Sequence, residues 1–324
     1  MRVIDIHRHF WMKTWWSNAV AWQFAVMASG WRRLPKEPPE AFLPRIGERI
    51  CDPEGTKIIH DMDDLGIDVS LIQHMDWGMA FKEDAPTPIE DIAHYDCYEL
   101  PRKYPGRVYG MVGIDPRRPG AVKLFEKAVT EWGAKGAGEL YPPFGIYPND
   151  PLWYPFYQKA VEMGVPVSIH CGFTHWPGLR SKYAHPIYID DVAGDFPELT
   201  IIICHSAMDK TPSTSWWEVA VSIAQSKLNV YLDVTDWQNT PVMAMEDMAE
   251  VMRKLKIMRD FCGAHRILFG TDQPAVRQRD HELTRQWVQL FTHLPDIAKD
   301  YGVTFSWEET ELIMHGNAER ILKI

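Results

Sequence analysis

Eight short apolar runs, each followed by a helical stretch or an insertion, predict an α/β chain folded as a (β/α)8 TIM barrel. Three observations carry that reading. Strand-like runs rich in Val, Ile and Leu alternate with helical segments, the pattern of a parallel sheet. The chain has 324 residues, room for eight such units in a single domain spanning 1–324. No glycine-rich dinucleotide fingerprint follows any run, which sets the open doubly wound sheet behind the barrel.

In chain order, Val3 to Ile6 opens as a strand. Residues 10–56 do not read as one regular element. They hold Trp11, Trp15, Trp16, Trp22 and Trp31 and then the proline-rich run Leu34 to Pro39. A long insertion in this place reads as a lid or wall over a site, or as tryptophans anchoring it to the barrel or to a second subunit. From Lys57 the rhythm is regular. Predicted helices at Lys57–Leu65, Ile89–Lys103, Gly120–Trp132, Leu152–Met163, Tyr188–Asp195, Trp216–Ser226 and Met243–Phe261 alternate with seven further strands. Those strands are expected at Asp68–Gln73, Val108–Ile114, Ala137–Tyr141, Val165–His170, Leu199–His205, Val230–Val234 and Ile267–Thr271. The remainder reads as helical.

Composition narrows the class. Hydrophobic residues are 46% and charged residues 24%, as in a soluble globular protein. A net charge of −10 argues against nucleic-acid or anionic-membrane partners. No apolar run is long enough to span a bilayer and the N-terminus lacks signal-peptide order, so a cytoplasmic location is expected. Five cysteines, an odd and sparse set, do not make a disulfide framework.

Barrel chemistry sits at the C-terminal ends of the strands, and the residues expected there are specific. His7 and His9, two apart on an extended chain, point the same way, with Arg8 turned aside. Glu139 lies on the fourth strand, His170 ends the fifth, His205 the sixth, and Asp272 follows the eighth. So many polar groups converging on one end would make a poor core, because each needs a partner away from water. A divalent metal supplies one partner for all of them. Cys171 and Cys204 each neighbour a proposed ligand and so face away from it, as small buried residues.

With these pieces in view, the chain resembles the amidohydrolase superfamily, in the amidohydrolase-2 branch of aminocarboxymuconate-semialdehyde-decarboxylase-like enzymes. The resemblance rests on Asp5-Ile6-His7-Arg8-His9, Tyr141-Pro142-Pro143, Ile169-His170-Cys171-Gly172, Cys204-His205-Ser206, Gly270-Thr271-Asp272 and His315-Gly316-Asn317-Ala318-Glu319-Arg320. It implies a distorted barrel with His7, His9, His170 and Asp272 around a first metal. It also implies that His205 binds a second metal or acts on the substrate. Glu139 departs from the uncharged residue general among decarboxylases of this branch. It opens a dinuclear arrangement, with His170 and His205 on a second ion, or else it pairs with a cation such as Lys135 or Arg180.

The reading of function that follows is metal-dependent hydrolysis of a small amide, lactone or cyclic carbonyl compound. Asp272 takes the proton of a metal-activated water, and His205 acts beside it. Non-oxidative decarboxylation of an aromatic or muconate-type acid is the alternative. A dinuclear iron or manganese–iron oxygenase, or a non-catalytic partner subunit, is the further one. Zinc is the expected metal, one ion or two, with manganese or iron compatible. Trp15, Trp16, His175 and Arg180 are the expected contacts to a small-molecule substrate. A homodimer or larger oligomer is expected from the aromatic insertion.

Overall fold

The computed structural model describes residues 1–30, 39–208, 216–239, 247–274 and 278–324. Eight strands run parallel: β1 Ile4–Arg8, β2 Val69–Gln73, β3 Val108–Met111, β4 Ala137–Leu140, β5 Val167–His170, β6 Ile201–Cys204, β7 Val230–Asp233 and β8 Ile267–Leu268. Continuous ladders join β1-β2-β3 and β4-β5-β6-β7-β8. Backbone hydrogen bonds outside the ladders carry the ring across both seams. Val112 N–H reaches Gly136 O (3.1 Å) between β3 and β4, and Ile6 N–H reaches Phe269 O (3.1 Å) between β8 and β1. The architecture is the (β/α)8 arrangement, with helices between successive strands.

The strands are buried at nearly every position, because helices cover one face and the barrel interior the other. A small cluster of Ile4, Ile6, Val69, Leu71, Met111, Ile202, Tyr231 and Leu268 joins Ala318, Ile321 and Leu322 of the C-terminal helix Asn317–Leu322. Strands from opposite sides of the ring meet in it, so it fills the interior. The larger cluster packs the helices onto the outside.

Most strands are shorter than their apolar runs. β3 stops at Met111 rather than Ile114, β6 spans Ile201–Cys204 rather than Leu199–His205, and β8 keeps Ile267 and Leu268 alone. Apolarity marks burial, which continues past the last ladder hydrogen bond. The insertion is more regular than expected. Helices Asn18–Gly30 and Pro39–Ile50 occupy much of it, and Trp11, Trp15, Trp16, Val20 and Phe24 are buried in the main core. Trp31, the proline-rich run up to residue 38 and the first residues of the predicted Met243–Phe261 helix lie outside the described residues. The predicted Ile89–Lys103 helix passes through a π-helical turn, Tyr95–Glu99, which buries Asp96 and Cys97. That turn lies against β3, where a Cβ on Gly110 would stand 2.5 Å from Asp96 O. All five cysteines are buried and none forms a disulfide.

Candidate metal centre

Alternation along β1 turns Arg8 away from the centre, onto Asp61 (3.0 Å), and leaves His7 and His9 to its neighbour strands. His9 Nδ1 lies 2.8 Å from Gln73 O, which aims Nε2 at Asp272 Oδ1, 3.0 Å away. The backbone N–H of Asp272 donates to His7 O (2.8 Å), so β1 itself places that carboxylate. Asp5 reinforces the seam: Thr271 donates to it through both N–H (2.9 Å) and hydroxyl (2.5 Å). Burial lifts the Asp5 carboxyl to about 6 despite those bonds.

Glu139 is the hub. Its Oε1 lies 2.8 Å from His170 Nδ1 and 3.4 Å from His205 Nε2. Its Oε2 lies 3.8 Å from His7 Nε2 and 3.9 Å from His9 Nε2. Four imidazoles from β1, β5 and the end of β6 thus surround one buried carboxylate from β4. Burial would raise the Glu139 carboxyl, but the His170 charge and the hydrogen bonds from His170 and His205 hold it well below the usual range. Asp272 is likewise depressed: burial opposes it, and the His9 hydrogen bond with the His9, His205 and His7 charges prevails. At His7, burial favours the neutral ring, yet Asp233, Glu139 and Asp272 together lift it to about 9.

The donor set fits a divalent cation. His7 Nε2 is buried with no hydrogen-bond partner and stands between carboxylate oxygens of Glu139 (3.8 Å) and Asp272 (3.7 Å). Three groups bring their ligand atoms within 4.8 Å of one another: His7–His9–Glu139, Glu139–His170–His205 and His7–His205–Asp233. Mixed nitrogen and oxygen donors of this kind suit zinc, manganese or iron. Lys135, a predicted alternative partner of Glu139, instead donates to Lys323 O (3.3 Å). Arg180, the other, is exposed.

The structure brings together His7, His9, Glu139, His170, His205 and Asp272. It spreads the four residues expected to meet substrate. Trp15 packs on Phe10 and Tyr95, with ring centroids 5.4 and 5.6 Å apart. It lines a cavity of about 330 Å³ with His74, Asp76, Trp77 and Arg118. Trp16 stacks on Phe24 at 4.5 Å. His175 Nε2 is 3.9 Å from Asp236 Oδ2. The aromatic rings that lie on the ligands are others: Trp11 stacks on His9 at 5.4 Å, and Tyr141 lies 4.2 Å from His170. Trp77 links the two, with Tyr141 at 6.1 Å and Trp11 at 6.5 Å. Sequence reasoning also passed over Asp233 and Thr235. The signal was a carboxylate closing the apolar run Val-Tyr-Leu-Asp on β7, a strand for which no polar end residue was named.

The amidohydrolase family model matches residues 4–324. Among solved structures, 5-carboxyvanillate decarboxylase from Novosphingobium aromaticivorans, complexed with manganese and 4-hydroxy-3-methoxy-5-nitrobenzoic acid, superposes with a TM-score of 0.66. It is 15% identical and covers 100% of this chain and 96% of that one. A probable 2-pyrone-4,6-dicarboxylic acid hydrolase from Acinetobacter baumannii, with citric acid bound, gives a TM-score of 0.60 at 14% identity, covering 100% of each chain. At such identities the likeness is one of fold. A 2-keto-4-carboxy-3-hexenedioate hydratase from Sphingobium is 34% identical over 100 residues, 26% of this chain and 29% of that protein's length.

Proposed function

The chain belongs to the amidohydrolase family, and from that premise we propose that it is a metal-dependent enzyme acting on a small aromatic or unsaturated carboxylic acid, by non-oxidative decarboxylation. The observation that carries the metal-dependent part of the reading is the ring of four histidines about Glu139, with Asp272 beside it. Sequence alone put hydrolysis first. The structural likeness to a decarboxylase of an aromatic acid and the aromatic faces at the centre reverse the order.

His7, His9, His170 and Asp272 would hold the ion, with Glu139 as the shared anionic ligand. Bound there, a divalent cation supplies positive charge that fixes a substrate carboxylate and stabilises the charge left as carbon dioxide departs. Trp11 and Tyr141 present ring faces from two sides, which orients a planar substrate over the ligands. His205 holds the proton that replaces carbon dioxide on the substrate carbon. Asp272, depressed and therefore anionic at neutral pH, would relay from solvent the proton that recharges His205 after each turnover. The same property favours a second reading, hydrolysis of a cyclic ester, in which Asp272 takes a proton from water. The fold shared with a pyrone dicarboxylate hydrolase supports keeping it.

Protein purified without chelator, assayed for metal and then offered hydroxybenzoic, muconate-type and pyrone acids with manganese, tests both. Manganese-dependent release of carbon dioxide is the expected result. Ring opening without carbon dioxide moves the second reading to first place. Equal turnover after exhaustive chelation sinks both.

A further inference from the structure

Behind the proposed ligands, on β7 and the turn after it, lies a buried chain of hydrogen bonds whose members Asp233 and Thr235 the proposed reaction does not use. Asp233 Oδ1 takes three donors: the His205 N–H (2.6 Å), the Thr235 N–H (3.1 Å) and the Thr235 hydroxyl (2.6 Å). Two of these are backbone amides, which can only donate. Oδ1 is therefore an acceptor, and the single hydroxyl proton of Thr235 is directed to it. Thr235 Oγ1 also sits 2.8 Å from His205 Nδ1. With its own proton committed, it can only accept there, so Nδ1 of His205 carries the hydrogen. Nε2 is then the nitrogen left to the centre: it faces Glu139 Oε1 at 3.4 Å, donates to that carboxylate while it keeps a proton, and offers a lone pair once the proton is lost. The other oxygen of the same carboxylate, Asp233 Oδ2, lies 3.5 Å from His7 Nδ1, and His7 Nε2 also points at Glu139.

We propose that Asp233, acting through the Thr235 hydroxyl, is a positioning residue that keeps the Nδ1 hydrogen of His205 in place and thereby reserves Nε2 as the nitrogen that serves the metal centre. One buried carboxylate thus orients two imidazoles, one through a hydroxyl and one directly. Carboxylate groups behind metal-bound histidines set ring tautomer and ligand strength in this way. The surroundings hold the relay still: Trp237 Nε1 donates to His205 O (3.0 Å), and the Ser206 hydroxyl donates to Asp233 O. Asp233 is itself near enough to His7 and His205 to be a ligand, but three donors already occupy its Oδ1.

The inference rests on His205 belonging to the centre, yet its first readout needs neither metal nor substrate. Metal-free protein labelled with 15N-histidine is examined by long-range proton–nitrogen correlation, with His205→Gln used to assign the His205 signal. The parent is expected to show a protonated Nδ1 at every pH from 6 to 9, with Nε2 the nitrogen that loses its proton first. Thr235→Val keeps the methyl that lies over Gly270 but cannot accept from Nδ1, so the signal should move to the Nε2–H tautomer. Manganese affinity, measured by titration, should fall roughly 10–100-fold with it. Thr235→Ser should restore both. A parent already in the Nε2–H form, or an unchanged tautomer in Thr235→Val, overturns the proposal. So does Asp233→Asn losing manganese while Thr235→Val keeps both tautomer and affinity, since Asp233 would then be a ligand.

Discussion

The chemistry of this chain is concentrated on one carboxylate. Glu139 has no solvent to neutralise it and is surrounded by imidazoles instead of a lysine or arginine. Imidazoles give up their protons near neutrality, so the anion is balanced only while they stay charged or a cation takes their place. Replacing a residue behind the ligands costs roughly 10–100-fold in metal affinity, and Glu139→Gln, which removes the shared ligand, should cost at least as much. Metal analysis of the variant checks this; full retention would return Glu139 to an ordinary ion-pair role. Asp272→Asn should lower turnover by ~10²–10⁴-fold with the fold intact, the loss typical of a proton-transfer group; circular dichroism beside the rate measurement separates the two effects. His7 sets the pH response. Its pKa is raised from 6.5 to about 9 by Asp233, Glu139 and Asp272 against the effect of burial. A proton held more tightly in the folded than in the unfolded state stabilises the metal-free protein fully below 6.5, and that stability is lost as pH rises through about 9. Metal must displace the same proton, so affinity should climb between pH 6.5 and 9. Manganese titrations at several pH values read this directly, and a flat profile would remove His7 from the ligand set.

At the level of elements, the ligands meet because the ends of the strands meet, and the glycines between them set how closely. A Cβ on Gly270 would stand 2.2 Å from Thr235 Cγ2 and 3.3 Å from His7 Cβ. Gly270→Ala should therefore push β8 off β7 and β1, lowering stability by ~1–3 kcal/mol and metal content with it; urea unfolding and metal analysis measure the two, and a variant matching the parent in both would show that the seam is slack. The same geometry explains what was legible. Parallel strands buried on both faces read as apolar runs, and polar residues closing those runs stand out, which is why the sequence already singles out His7, His9, Glu139, His170, His205 and Asp272, the residues the fold brings together. Asp233 closes β7 in the same way but has no histidine or cysteine beside it to draw the eye. The walls were harder. Trp15 and Trp16 were chosen as substrate contacts for their density along the insertion, yet Trp16 stacks on Phe24 within the helix Asn18–Gly30. The rings on the ligands, Trp11 and Tyr141, come from segments 130 residues apart, and only the closed ring of strands brings them to one mouth.

For the molecule as a whole, the centre is a place where folding concentrates charge that the chain alone balances poorly. Glu139, Asp272 and Asp233 converge within a few ångströms in a buried mouth assembled from strands at both ends of the sequence. On the proposed reading a cation there would act on folding as well as on catalysis, because the unfolded chain presents none of the site. A cation that binds the native state alone stabilises it by RT ln(1 + [L]/Kd), about 2.7 kcal/mol at a hundredfold excess over Kd. Spread over an unfolding entropy of ~2.1 cal/mol/K per residue in a chain of 324 residues, that is a rise in Tm of about 4 °C. Manganese added to chelator-treated protein at pH 8 should produce a shift of that order, and one smaller at pH 6, where His7 retains its proton. Glu139→Gln should lose most of the shift at both pH values, because the ring of histidines is then left without its anion. A parent protein whose Tm ignores manganese, zinc and iron alike would show that the four histidines and three carboxylates are a self-contained ion-pair network, and the metal-dependent reading of the centre would fall with it.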